Sequence, residues 1–244
     1  MKFLVIGCGS IGRRHAKNLL ALRQKVIATD IFSPNRRIME ENFGVKTFQR
    51  IEDAMKLKPN AIIVCTPPNS HIPLAVKGLR RKIPVFVEKP LSASASGIKR
   101  LFSIAKRNRA GFFVGCNLRF TQGLQMVKKL LVQKAIGRVV GAEINFGYYL
   151  PFWRPGTDYR RNYAASRKMG GGVMLDAIHE IDYAIWLFGC PKEVFAVYGK
   201  KSDLEIETED FAEIKQKHGD FTFKMRIIDE PLTDPVKIKQ ILKI

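Results

Sequence analysis

The first half of the chain alternates two hydrophobic patterns. Short runs rich in Val, Ile and Phe occur at 2–6, 25–29, 61–65, 83–87 and 112–116, and the stretches at 11–22, 35–42, 51–57, 70–80 and 94–108 carry a helical pattern. Near-continuous apolar runs are expected of strands covered by helices on both faces, and the alternation predicts right-handed crossovers and a doubly wound parallel α/β sheet. Beyond Asn117 the pattern changes. A helix is predicted at 121–135 and a long strand from Val139 to Tyr148. A polar, aromatic loop runs from Tyr149 to Met169, and Gly170-Gly171-Gly172 opens a helix that ends near Gly189. Strands follow at 193–199, 209–217 and 220–227, with Gly219 as the turn between the last two. The expected organisation is an α/β domain over 1–117 and a second, α+β domain over 118–244 on a mostly antiparallel open sheet.

The first strand runs into Gly7-Cys8-Gly9-Ser10-Ile11-Gly12, a G-x-G-x-x-G run followed at once by an amphipathic helix. Strand before and helix after turn a weak motif into a specific one, the Rossmann dinucleotide fingerprint. Gly7 takes the tight turn, Gly9 lets backbone approach a pyrophosphate, and Gly12 allows close helix–strand packing. The helix N-terminus, opened by Ser10 and Ile11, offers N–H groups and a positive dipole end to phosphates. Asp30 ends the second strand, where a carboxylate accepts hydrogen bonds from the adenosine ribose and repels a 2′-phosphate. NAD is therefore favoured. Arg36 and Arg37 follow closely and tolerate a phosphate, so NADP stays open.

Charge narrows the partners. With 42 Lys and Arg against 22 Asp and Glu the formal charge is +20, which concentrates anions around the molecule. The basic residues are scattered, as in Arg36-Arg37 and Lys200-Lys201, which suits a small anionic ligand better than a dedicated nucleic-acid surface. No apolar run is long enough to span a membrane, and Met1–Ile6 meets the glycine loop without a cleavage-like region, so a cytoplasmic location is expected. Cys8, Cys65, Cys116 and Cys190 form no Cys-x-x-Cys pair, so reduced thiols and no metal site are expected.

Three further segments carry a family resemblance: Cys65-Thr66-Pro67-Pro68-Asn69-Ser70-His71, Glu88-Lys89-Pro90, and Gly170 to Asp182 with Asp176 and His179. Together with the glycine loop, they resemble the glucose–fructose oxidoreductase / inositol dehydrogenase / MocA (Gfo/Idh/MocA) family over about residues 1–215. The resemblance implies a Rossmann domain, a second domain whose open sheet mediates homo-oligomers, and NAD(P)-dependent oxidation or reduction of a sugar, cyclitol or related carbonyl compound. It assigns catalysis to Lys89, Asp176 and His179. It places Thr66, Pro67, His71, Glu88 and Lys89 in the cofactor cleft, and Asn117 and Arg119 at the crossing between domains, Asn117 toward the cofactor and Arg119 toward the substrate. The stretch Tyr148 to Arg161 resembles a subgroup associated with surface-polysaccharide and sugar-acid biosynthesis. Within it, Trp153, Tyr159 and Arg160 are candidates to hold a sugar or anionic substrate, with a solvated loop as the alternative.

Alcohol oxidation needs a base for the hydroxyl proton and a positive group for the developing alkoxide. Lys89, at the carboxyl end of a parallel strand, serves as base or polariser. His179 has a suitable proton affinity, and Asp176 orients its ring. Many relatives space acid and histidine four apart. Here they are three apart, still on one helical face, and Asp182 competes as partner. Two other functions fit the same residues: an NAD-dependent glycoside hydrolase, and a cofactor-binding pseudoenzyme or sensor. The chain resembles a C-terminally shortened member. It is expected to leave the second sheet after Ile228, with an unpaired strand edge that the lysines of 237–243 guard or a second copy covers.

Overall fold

Each of the five apolar runs forms a strand of one sheet: β1 (Lys2–Ile6), β2 (Lys25–Thr29), β4 (Ala61–Val64), β5 (Val85–Val87) and β6 (Phe112–Val114). A short β3 (Lys46–Phe48) joins them, giving the all-parallel order β3-β2-β1-β4-β5-β6. The helices α1 (Ser10–Ala21), α2 (Ser33–Phe43), α3 (Ile51–Met55), α4 (His71–Leu79) and α5 (Ile98–Asn108) alternate with the strands. The computed structural model describes residues 1–153, 156–218, 221–228 and 239–243. They fall into two compact units, Met1–Gly115 and Cys116–Ile244.

Burial explains the first sheet. Leu4 and Val5 are neighbours on β1, so their side chains point to opposite faces. Leu4 packs with Leu79 and Leu101, Val5 with Ala16 and Met39, and both are fully buried. β3 was not predicted because Lys46-Thr47-Phe48 contains no apolar run; its pairing with β2, Ile27 opposite Lys46, makes it a strand. α5 begins at Ile98 rather than 94. Ahead of it the Ser94 and Ser96 N–H groups donate to the Ser92 and Ser94 hydroxyls at 3.3 Å, a local alternative to helical bonding. Strand order reverses between β1 and β4, so the carboxyl ends of these two strands flank a crevice, and the glycine loop lies there.

The second unit contains α6 (Gln122–Val132), β7 (Gly141–Gly147), α7 (Leu150–Trp153), α8 (Val173–Asp176), α9 (Ile178–Phe188), β8 (Glu193–Gly199), β9 (Phe211–His218), β10 (Phe221–Ile228) and β11 (Lys239–Lys243). Its sheet runs β11-β7-β10-β9-β8, antiparallel except for the β7–β10 pair. One face buries Ala142, Ile144, Ala212, Ile214, Phe223, Met225 and Ile227 with Val173, Tyr183, Ala184 and Leu187 from the helices. The other carries Glu213, Lys215, Lys217, Lys224 and Arg226 in water.

Two expectations are corrected here. The helix opened by the glycine run is broken: α8 stops at Asp176, Ala177 sits at φ −88°, ψ 29°, and α9 starts afresh. Nor does the chain leave the sheet at Ile228. β11 returns to pair with β7, Leu242 opposite Ile144, so β10 is interior and the edges are β11 and β8. The predicted turn at Gly219 and the segment 229–238 lie outside the described residues.

Candidate active site

The glycine loop has the shape its residues imply. Gly7 lies at φ +99°, and a Cβ there would stand 2.8 Å from the Cys65 carbonyl oxygen. At Gly12 a Cβ would fall 1.8 Å from the Gly7 carbonyl oxygen, so α1 can approach β1 only with glycine. Gly9 is different: no atom lies within 4 Å of a Cβ built there, so its side is open space. Gly9 precedes α1 without any side-chain cap, leaving the helix start at Ser10 and Ile11 to a ligand. An anionic dinucleotide fits this cradle.

Asp30 secures the loop from β2. Its Oδ2 accepts the Cys8 N–H at 2.8 Å and the Asn35 amide at 3.1 Å, and its Oδ1 accepts the Phe32 N–H at 2.9 Å. Arg36 bonds the Asp30 and Ile31 carbonyls, at 2.8 and 3.2 Å. Beneath the loop, burial and then the Asp30 charge push the Cys8 thiol up to about 12. Burial likewise raises Cys65 well above the usual thiol range. Neither is a nucleophile.

The segment after β4 and the turn after β5 are fastened to each other. His71 is buried, its Nδ1 2.8 Å from the Pro90 carbonyl oxygen and its Nε2 2.6 Å from that of Thr66. Burial outweighs these carbonyls and lowers the ring's pKa. His71 thus fastens the Thr66-Pro67 segment to the Lys89-Pro90 segment. The Ser70 hydroxyl donates to that of Thr66 at 2.7 Å. Glu88 Oε1 lies 2.6 Å from Nε2 of His15 on α1, a pair not anticipated from the sequence. Burial pushes the Glu88 carboxyl up, but the His15 bond and charge, the Lys89 N–H and Arg14 together hold it below its usual range. Lys89 follows directly, half-buried.

In the second unit, Asp176 is buried at the end of α8. Its Oδ2 accepts the Tyr148 hydroxyl at 2.8 Å and its Oδ1 the Tyr163 hydroxyl at 2.5 Å. Neither tyrosine was singled out, because both lie far from the acid in sequence. His179 stands on α9 beyond the break, so the two do not share one helical face. Gly171 and Gly172 make this junction possible: a Cβ on the first would lie 2.3 Å from the Tyr163 carbonyl oxygen and on the second 2.2 Å from a Glu209 carboxylate oxygen.

The expected substrate arginines have other partners. Arg119 forks onto Asp182, its Nε 2.7 Å from Oδ2 and its second nitrogen on Oδ1, and this bond raises its pKa. Asp182 is therefore occupied by Arg119 rather than competing for His179. Arg160 bonds Asp158 at 2.9 Å and Glu205 at 2.8 Å, which raises its pKa and ties the loop to 205. The Tyr159 hydroxyl accepts the Glu205 N–H at 3.3 Å, and Trp153 packs on Tyr148 with centroids 4.6 Å apart. Asn117 opens the short turn Asn117–Phe120. Among the described residues no group of three or more His, Cys, Asp and Glu side chains is placed to hold a metal ion. None of the described helices is long and apolar enough to cross a membrane.

Residues 1–116 match the oxidoreductase family with an NAD-binding Rossmann fold, and residues 124–221 match the GFO/IDH/MocA C-terminal domain. The chain is 31% identical over 212 residues to myo-inositol 2-dehydrogenase of Thermotoga maritima, covering 84% of this chain and 60% of that protein. It is 26% identical over 222 residues to glucose-6-phosphate 3-dehydrogenase of Bacillus subtilis, covering 87% and 63%. It thus spans about 60% of the length of these curated relatives. A probable dehydrogenase from Thermotoga maritima superposes with a TM-score of 0.82 at 26% identity, over 99% of this chain and 72% of that one. The WlbA dehydrogenase of Chromobacterium violaceum, solved with NADH and UDP-GlcNAcA, shares the fold with a TM-score of 0.84 at 23% identity, over 94% and 67%. Glycine loop and matched domains lead to one conclusion: the chain belongs to the Gfo/Idh/MocA oxidoreductase family, and its first unit is the family's NAD-binding Rossmann domain.

Proposed function

We propose that this chain is an NAD(P)-dependent oxidoreductase that interconverts a hydroxyl and a carbonyl on a sugar, sugar acid or nucleotide sugar, with a place in surface-polysaccharide synthesis. The observation that carries the reading is the cradle at the glycine loop, closed at Gly7 and Gly12 and open at Gly9. Bound NAD⁺ supplies a hydride acceptor. The protein's task is then the proton and the developing charge. Lys89 takes the hydroxyl proton or polarises the oxygen; His179 is the other candidate for the proton, and Tyr148 and Tyr163 hold Asp176. Arg119, Trp153, Tyr159 and Arg160 are the substrate-side candidates, Asn117 is on the cofactor side, and the +20 charge favours an anionic substrate. In this reading residues 1–117 bind cofactor, and residues 118–244 bind substrate and self-associate, in the cytoplasm.

The test is formation of reduced nicotinamide from NAD⁺ or NADP⁺ with a panel taken from the relatives: myo-inositol, glucose 6-phosphate, UDP-GlcNAcA and free sugar acids. Turnover with at least one is expected. Lys89→Ala is expected to keep NADH affinity within about tenfold while losing most turnover, about a hundredfold or more for a proton-transfer group. NADH binding without turnover on any compound would favour a sensor, and a near-normal Lys89→Ala rate would remove Lys89 from the chemistry.

A further inference from the structure

His15 belongs to no motif, yet it meets Glu88 across 73 residues of sequence, and the pair is boxed in. The two side chains are 21% and 13% exposed. Phe86 stands edge-on to the imidazole, centroids 5.4 Å apart at 65°. Gly115 leaves room for the carboxylate beside this ring: a Cβ there would lie 3.2 Å from Glu88 Oε2 and 3.1 Å from the Phe86 ring. The Glu88 N–H is fixed on the Val64 carbonyl at 2.9 Å, and Oε2 receives the Lys89 N–H at 3.3 Å. One carboxylate therefore bridges the dinucleotide helix α1 and the backbone of the lysine after β5. A carboxylate in such a box has one stable orientation only while a donor holds its outer oxygen.

We propose that His15 is a positioning residue: by holding Glu88 it locks the Glu88-Lys89-Pro90 turn against the dinucleotide helix and so presents Lys89 to the nicotinamide end of the cofactor in one orientation. The inference rests on the cofactor reading above and extends it to a residue that touches neither cofactor nor substrate. Other charged or titratable groups face the carboxylate. Arg14 comes from the same helix, Cys65 from the end of β4, and His71 from α4. Burial alone favours the neutral acid, so without His15 the carboxyl protonates at higher pH and releases the turn.

The experiment is a double-mutant cycle of His15→Ala and Glu88→Gln, read by thermal unfolding and by NADH fluorescence titration from pH 5 to 8, with His15→Gln as the conservative variant. Both losses are expected to be non-additive, because the two side chains form one unit. His15→Ala is expected to weaken NADH binding about tenfold, the worth of one charge-assisted bond. Its affinity is expected to fall further toward low pH, starting at a higher pH than in the wild type. His15→Gln, which keeps an N–H donor at similar reach, is expected to restore both affinity and pH profile. Additive unfolding losses would overturn the pairing. Non-additive unfolding with wild-type NADH affinity and pH profile in His15→Ala would overturn the positioning role. Failure of the wild-type protein to bind NADH at any pH overturns the cofactor reading itself, a result the comparison among variants cannot produce.

Discussion

At Gly9 and Gly12 the same added methyl group meets opposite surroundings. At Gly12 it would press on a backbone oxygen that no rotamer change can move, whereas at Gly9 it enters empty space. Gly12→Ala is therefore expected to lower the melting temperature and abolish NADH binding. Gly9→Ala is expected to keep the melting temperature but weaken NADH binding by about tenfold or more, because the space it fills is reserved for phosphate. Thermal unfolding with and without NADH separates the two, and a Gly9→Ala protein with full affinity would place the pyrophosphate elsewhere. Asp30 sets a second contrast. Its carboxylate takes three neutral donors, while Arg36 is held on backbone carbonyls. A 2′-phosphate would then face a carboxylate with no guanidinium bonded to it. NADH is expected to bind about tenfold or more tightly than NADPH in parallel titrations, and equal affinities would contradict this role for Asp30.

At the scale of elements, legibility followed the range of the interactions. The central strands and the glycine loop were readable because their signals are local: apolar runs buried on both faces, and glycines at the positions where backbone meets backbone. β3 was hidden because its strand state comes from pairing with β2, not from its own three residues. β11 was hidden because Lys239–Lys243 becomes a strand only against β7, far back in the chain. The break at Ala177 escaped because Val173 to Phe188 is apolar enough to read as one helix; the tyrosines that hold Asp176 lie outside it. The Glu88-Lys89-Pro90 motif points to Lys89 as a candidate, while nothing near His15 in sequence reports a partner on another strand. The β9–β10 pair carries an element-scale prediction. His218, on β9, stacks on Phe221 with centroids 5.3 Å apart at 13°, packs near Phe188 and Phe223, and bonds Gln216. Burial lowers its pKa, as it does for His71. A folded-state pKa below the unfolded value means that the unfolded chain binds the proton first. Stability from these two rings is therefore full above about pH 6.5 and falls as pH drops below it. Glu52, Asp158 and Glu88, whose pKa values are lowered from carboxylate values, act only at lower pH. Between about pH 6.5 and 5 the wild-type melting temperature is expected to fall, and His218→Gln to show a shallower fall; parallel curves would remove His218 from the effect.

For the whole molecule, association through the second sheet is the expectation. β8 is an edge strand whose Val194, Phe195, Val197 and Tyr198 are all at least half exposed, on both of its faces. Apolar side chains beside unpaired backbone groups favour pairing with another copy. The charge of +20 opposes it at low salt. Sedimentation at several concentrations is expected to show self-association that strengthens with salt and weakens in Val197→Lys. A monomer at every concentration would show that the edge stays solvated.

The two sheets also differ in when they can exist. Every strand of the first lies before Gly115, so that sheet can close while the rest of the chain is still being made. β7 cannot. Its two neighbours are β10 (Phe221–Ile228) and β11 (Lys239–Lys243), made only when some 80 and some 95 further residues have been added. At ordinary elongation speeds β7 waits on the order of ten seconds with both edges bare, tethered to an already folded neighbour. A second hazard therefore falls in synthesis, and slowing translation after residue 147 lengthens that exposure while leaving the first unit untouched.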